Sequence, residues 1–427
     1  VAASLMMSCG PGTPSAHAVG PPAIEDKWLP KPALPTPPWP TVQREACAAI
    51  GADSEPARPR PAPAVDLPRL WQFTRGAGQR VAVIDTGVSR HQRLPDVVPG
   101  GDYVSGGDGT ADCDAHGTLV AGLIAASPDR GGVGGVAPDA TIISIRQSSV
   151  KFSPARDRSR SGVGDVDTMA KAVRAAADLG ASVINISSVA CVPAAAALDD
   201  RALGAALAYA VDIKNAVVVA PAGNTTSHTS SDQASAGDTG SAAQCPPQRR
   251  DATWETATVA VSPDWYDDYV LTVGSVNAGG EPSAFTLPGP WVDVAAPGEA
   301  VTSLGAHSVS GTSYAAPVVS GLAALIRARF PGLTARQVMR RIESTAHHPP
   351  GGRDPLVGEG SIDALAAVST DPAPPAHGGA DPSTVPLATP GAPPNSGARQ
   401  AALRGTAGCL AALVVALLIG AAARRSR

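Results

Sequence analysis

The middle of the chain alternates short, almost wholly apolar runs with longer stretches that read as helices. "RVAVID" (Arg80–Asp85), "ATIISIR" (Ala140–Arg146), "SVINIS" (Ser182–Ser187), "AVVVAPAGN" (Ala216–Asn224) and "YVLTVGSV" (Tyr269–Val276) predict strands. "GTLVAGLIAA" from Gly117, "VDTMAKAVRAAADLG" from Val166 and "DDRALGAALAYAVDI" from Asp199 predict helices. Gly180 stops the second helix, and Asp199 and Asp200 begin the third, where negative charge suits the helix dipole. Apolar strands alternating with helices mean parallel strands buried on both faces. The expected fold is α/β: a doubly wound, mostly parallel sheet with helices on both faces. Such sheets bind ligands at the carboxyl ends of their strands, and Asp85, Asn185 and Asn224 fall at or near such ends.

The pattern breaks at both ends of the chain. Gly405–Ala423 is uncharged, about long enough to cross a bilayer as a helix, and is followed by Arg424, Arg425 and Arg427. Positive residues stay cytoplasmic, so residues 403–424 are expected to be a transmembrane helix, 425–427 a cytoplasmic basic tail, and the rest extracytoplasmic. Residues 371–402 are rich in Pro, Gly and Ala and read as a disordered linker. Export needs a signal, and residues 1–18 read as the remnant of one, closing on the small-x-small site Ala16-His17-Ala18. A lipoprotein cysteine at Cys9 is the poorer reading, because Met6 and Met7 precede it. Residues 19–66 are proline-rich but carry Trp28, Leu29, Trp39 and Cys47, so they are expected to pack along the folded domain at 67–370.

Composition narrows the function classes. Hydrophobic residues make up 44% and charged residues 16% of the 427, enough for a large core under a lightly charged surface. A net charge of -4 offers no basic field for nucleic acid. The six cysteines form no Cys-x-x-Cys, and no acidic cluster suited to calcium stands out, so no metal and no cofactor is expected. Cys47, Cys113, Cys191 and Cys245 fall in the globular part. An oxidising compartment favours disulfides there, with three pairings open.

Asp85-Thr86-Gly87 ends the first strand, and this triplet serves two unrelated chemistries. An aspartic protease needs two equivalent carboxylates that share a proton. The second triplet, Asp238-Thr239-Gly240, sits in "SSDQASAGDTGSAAQ", which reads as a polar surface loop, so there is no second half-site. A serine protease needs a histidine and a nucleophile instead. "DCDAHGTLVAGLIAA" sets His116 before a glycine and an apolar helix. "VSGTSYAAPVVSGLAALI" sets Ser313 behind Gly311 at a helix N-terminus, whose free N–H groups suit a developing oxyanion. Pro317 is expected to be tolerated as part of the first helical turn.

Val81–Val88, Asp114–Ala121 and Ser310–Gly321 resemble the three signature blocks of the subtilase family, in its order Asp, His, Ser. "VVVAPAGN" resembles the family's fourth block. The resemblance runs from about Leu67 to Val368 and implies a serine endopeptidase. Ser313 would be its nucleophile, His116 the general base and acid, and Asp85 the group that orients the imidazole. The Asn224 side chain and the Ser313 N–H would form the oxyanion hole, and the backbone at Ser187 and Ser188 would pair with an extended substrate.

A narrower resemblance rests on "GDYVSGGDGTADCDAHGTLVAGLIAA", "SVINISSVACV", the proline-rich segment with its cysteine and the C-terminal apolar run. These look like the mycosins, the membrane-anchored subtilases of actinobacterial type VII secretion systems. This resemblance implies disulfides Cys47–Cys113 and Cys191–Cys245, protein or peptide substrates, and partners within a secretion membrane complex. It allows either an active protease or a mainly structural component. The residues before Leu67 are too few and too proline-rich for a folded inhibitory prodomain, and are expected to stay attached. "QSSVKFSPARDRSRSGVGD" (Gln147–Asp165) is either a loop rimming the active site or an ordinary solvated loop.

Overall fold

The computed structural model describes residues 19–48, 65–130, 133–157, 159, 162–196, 198–225, 244–304 and 308–370. The expected signal remnant, linker, membrane helix and basic tail, together with Cys9, Cys409 and Asp238-Thr239-Gly240, lie outside the described residues. Among the described residues no helix is long and apolar enough to cross a membrane.

Seven strands form the main sheet: β1 (Arg80–Asp85), β2 (Val97–Asp102), β3 (Thr141–Arg146), β4 (Val183–Ile186), β5 (Val217–Pro221), β6 (Leu271–Val276) and β7 (Val294–Pro297). Their order is β7-β6-β5-β4-β1-β3-β2, with every pair parallel. From Val81 to Asp85 every β1 side chain is buried, with no alternation, as a sheet covered on both faces requires. The α/β expectation holds. β2 and β7 escaped the hydrophobic pattern, because "VVPGGD" carries a proline and two glycines and "VAAP" is small and short.

From β1 the chain runs out to β2, returns to β3 beside β1, and then crosses to β4 on the other side of β1. That reversal opens a crevice at the carboxyl end of β1, where Asp85 stands. Helix α1 (His116–Ala125) packs against β1 and against the long helix α4 (Thr312–Arg329), which lies along β4 to β7. Helices α2 (Val166–Asp178) and α3 (Arg201–Ala208) form a second pair, with α2 against β1, β3 and β4. A capping box of Asp165 and Thr168 starts α2, and Gly180, at φ +77°, follows its end.

Asp200 stands immediately before α3, as expected, with its buried carboxylate accepting from Ser262 Oγ, Trp265 Nε1 and Tyr266 Oη at 2.5, 2.8 and 2.8 Å, while Asp199 pairs with Arg201. One expectation is corrected here. Pro317 is the sixth residue of α4, so it lies beyond the first turn, and the Ser313 carbonyl lacks the N–H that residue would otherwise supply.

The N-terminal segment lies along the folded domain. The Val19 N–H donates to the Trp254 carbonyl, Arg201 stacks over the Trp28 ring at 3.9 Å, and Arg174 donates to the Pro30 carbonyl. Thr41–Gln43 then pairs antiparallel with Phe152–Pro154, and Ala48 N–H donates to the Cys113 carbonyl at 2.8 Å. The disulfides are Cys47–Cys113 and Cys191–Cys245.

Candidate active site

Two glycines let α1 approach the end of β1. A Cβ on Gly117 would lie 2.2 Å from the Gly87 carbonyl oxygen and 3.0 Å from the Asp85 Cβ. A Cβ on Gly87, at φ +102°, would lie 2.3 Å from the Ala111 carbonyl oxygen. With both spaces empty, His116 Nδ1 reaches the Asp85 carboxylate at 2.8 and 3.0 Å. On its other side His116 Nε2 meets Ser313 Oγ at 2.9 Å. All three side chains are buried, and the Tyr314 ring packs against the imidazole with centroids 5.0 Å apart.

Burial drives the Asp85 carboxyl upward. The His116 charge and hydrogen bond, the Thr86 N–H at 2.6 Å and the Ser187 hydroxyl outweigh it and hold the group below the ordinary aspartate range. Asp85 is therefore ionised at neutral pH, acceptor-only toward Nδ1–H, and leaves Nε2 as the acceptor that faces Ser313.

Ser313 is the second residue of α4, where the backbone N–H has no partner within the helix. Asn224 follows β5. Its Oδ1 accepts from the Thr312 N–H and hydroxyl, both at 3.0 Å, which turns its Nδ2 donor outward. A Cβ on Gly311 would sit 3.3 Å from Ser313 Oγ and 3.7 Å from Asn224 Nδ2. The two groups thus face one space, which the glycine leaves open.

Ser187 and Ser188 follow β4. Ser187 is buried and Ser188 half-buried. The Ser187 hydroxyl is turned inward, toward Asn185 and Asp85.

Two side chains behind the site, Asp112 and Asp114, went unread in the sequence. Asp112 Oδ1 accepts from Thr86 Oγ1, Asp114 N–H and Ala115 N–H, at 2.8, 3.0 and 2.9 Å. Those bonds hold Ala115 at φ 66°, a left-handed turn just before His116. Burial, with help from the Asp85 charge, raises the Asp112 carboxyl to about 6 against the pull of the Thr118 and Thr86 donors. Asp114 accepts from Ser149 Oγ at 2.5 Å and from Val150 N–H at 2.9 Å. The Gln147–Asp165 segment is therefore tied to the histidine turn. "D-x-D-x-H" was the available signal, but a carboxylate's acceptors become visible only once distant loops are in place. Among the described residues no group of three or more His, Cys, Asp or Glu is placed to hold a metal ion.

An ionised aspartate, an imidazole and a serine hydroxyl in line, beside a space facing two donors, are the parts of an acyl-transfer site. The sequence profile of the subtilase family matches residues 76–373, and the chain belongs to that family of serine peptidases. Within the family it is one of the mycosins, 64% identical to Mycosin-4 of Mycobacterium tuberculosis (strain ATCC 25618 / H37Rv) over an alignment spanning 100% of this chain and 96% of that one. Among solved structures, the MycP3 protease from the type VII (ESX-3) secretion system superposes with a TM-score of 0.73 at 41% identity, over 83% of this chain and 100% of that one. A chain of an intact ESX-5 inner membrane complex aligns with a TM-score of 0.70 at 38% identity, over 95% of this chain and 100% of that one.

Proposed function

We propose that this serine peptidase cuts exported protein or peptide substrates with a triad of Asp85, His116 and Ser313. The observation that carries the assignment is the unbroken line of short contacts from Asp85 through His116 to Ser313. His116 Nε2 takes the Ser313 proton as Oγ attacks the scissile carbonyl, and returns it to the leaving amine. Asp85 holds the tautomer and stabilises the imidazolium. Asn224 Nδ2 and the Ser313 N–H receive the oxyanion. The backbone after β4, at Ser187 and Ser188, pairs with the extended substrate. Water completes the cycle, so the reaction needs no cofactor.

The peptidase works at the outer face of the cytoplasmic membrane, as part of a type VII secretion complex. Residues 403–424 anchor it there and residues 371–402 tether the catalytic domain. The mycosin relationship supports this reading, as does the match to a chain of an ESX-5 inner membrane complex. That match extends over 95% of this chain and so favours a second, structural role in the assembly.

Labelling with a fluorophosphonate probe tests the triad. Wild type is expected to label and Ser313→Ala is not; a folded wild type that fails to label sinks the assignment. Secretion in a Ser313→Ala strain and in a deletion strain separates the two roles. Loss only on deletion makes the structural role dominant.

A further inference from the structure

The residue next to the nucleophile supplies an aromatic ring to the histidine. Tyr314 follows Ser313 in the first turn of α4, where its N–H donates to the Gly311 carbonyl at 3.0 Å. The side chain is 5% exposed, at the joint where α4 packs against α1. Its ring centroid lies 5.0 Å from that of the His116 imidazole, with the two planes at 45°. Tyr314 Cδ2 also comes within 3.5 Å of the point where a Cβ on Gly311 would stand. The ring therefore borders both the imidazole and the space that Ser313 Oγ and Asn224 Nδ2 face.

Asp85 meets His116 at Nδ1 and Ser313 meets it at Nε2. Ring nitrogens bond in the plane of the imidazole, so its faces are left to packing. When Nε2 takes the serine proton, the imidazole becomes a cation. A cation within about 6 Å of a tyrosine centroid is attracted by the ring's negative π face, more strongly where water is excluded. Among the described residues, the charged groups placed toward the imidazole are Asp85 on β1 and, across Thr86, Asp112. The Asp114 carboxylate is turned to Ser149 and Val150. Beyond His116, α1 carries no charged residue, and α4 carries none before Arg327. On its α4 side the cation is thus met by an aromatic ring and not by a carboxylate.

We propose that Tyr314 is a positioning residue for the peptidase reaction, whose π cloud stabilises the His116 imidazolium from the α4 side and keeps the imidazole in line between Asp85 and Ser313. The inference rests on the triad assignment above. Because Tyr314 and Ser313 are neighbours in one helical turn, the group that gives up the proton and the group that steadies the resulting cation move together.

The test is the second-order rate of fluorophosphonate labelling of the full chain as a function of pH, with thermal midpoints recorded alongside. Tyr314→Leu keeps an apolar side chain and removes the π cloud. The maximal rate should fall about threefold or more, and the pH of half-maximal labelling should move down by about half a unit, because the imidazolium loses a stabilising neighbour. Water entering in place of the ring would favour the cation and move that pH up, so a fall is not an effect of loosened packing. Tyr314→Phe keeps the ring and should keep the wild-type half-maximal pH. Phenylalanines bearing one, two and three fluorines, introduced in place of Tyr314, hold the shape nearly constant while draining the π face. Across that series the half-maximal pH should fall stepwise, and the series carries the test even where Tyr314→Leu does not fold. A half-maximal pH that stays in place or rises across the fluorinated series, with wild type labelling normally, overturns the role of the ring while the triad stands. A wild type that does not label overturns the triad, and the role of Tyr314 with it.

Discussion

The Asp112 carboxylate accepts both the backbone N–H and the hydroxyl of Thr118, at 2.9 and 2.7 Å. With its other oxygen it holds Thr86, Asp114 and Ala115. One side chain thus ties the turn after β1 to the turn before α1, the two turns that present Asp85 and His116. Asp112→Ala would leave several donors without partners in one small space. We expect a loss of about 2–3 kcal/mol in stability, read from the denaturant midpoint, and a larger loss of labelling rate than of stability. A stable, fully active variant would mean that the histidine turn holds itself.

Gly311 leaves open the space that Ser313 Oγ and Asn224 Nδ2 both face. Gly311→Ala would place a methyl 3.3 Å from the hydroxyl and 3.7 Å from the amide. Asn224→Ala removes the donor and leaves the space. Each is expected to lower turnover by about 10²- to 10³-fold with little change in KM. Steady-state kinetics on a general peptide substrate would check this, and a loss confined to KM would place the oxyanion elsewhere.

The Cys47–Cys113 bridge closes a loop between residues 66 apart and joins the N-terminal segment to the chain three residues before His116. Replacing both cysteines by serine is expected to lower stability by about 4 kcal/mol or less. It should also open the segment around Thr41–Gln43 to proteolysis, since no covalent link would then back the strand pair, the Lys151–Glu45 contact and the hydrogen bonds that hold it. Limited proteolysis with mapping of the cut sites would decide; cleavage equal in both proteins would show that the strand pair suffices.

Asp264 is completely buried with neither carboxyl oxygen hydrogen-bonded, and burial, aided by the Asp293 charge, holds its carboxyl well above the usual range. Asp293 is likewise raised by burial, despite Arg353 at 2.8 Å and the Thr272 N–H. A carboxyl raised on folding contributes stability that is complete below its unfolded value and is lost as pH climbs through its folded value. The thermal midpoint is therefore expected to be higher near pH 5 than near pH 8. Asp264→Asn, which mimics the neutral acid, should flatten that slope. A midpoint that rises toward alkaline pH in wild type would contradict the assignment.

How much of this was legible in the sequence depended on what each feature is made of. β1, β3 and β4 announced themselves because strands buried on both faces are continuous apolar runs. β2 stayed hidden because Pro99, Gly100 and Gly101 interrupt its apolar run. The disulfide partners followed from family resemblance, whereas the spacing of the cysteines left three pairings open.

What the sequence by itself determined is the local chemistry. Asp85 ends a strand, His116 opens an apolar helix, Ser313 stands at a helix N-terminus, and each of these is encoded in the residues next to it. Only the tertiary structure decided which distant groups complete their hydrogen bonds. Asp112 with Thr86, Asp114 with Ser149, and Ser320 with Asn185 are pairs between separate elements. Their partnership arises because a buried donor or acceptor must find a mate within about 3 Å, and only the packed fold sets which groups lie that close.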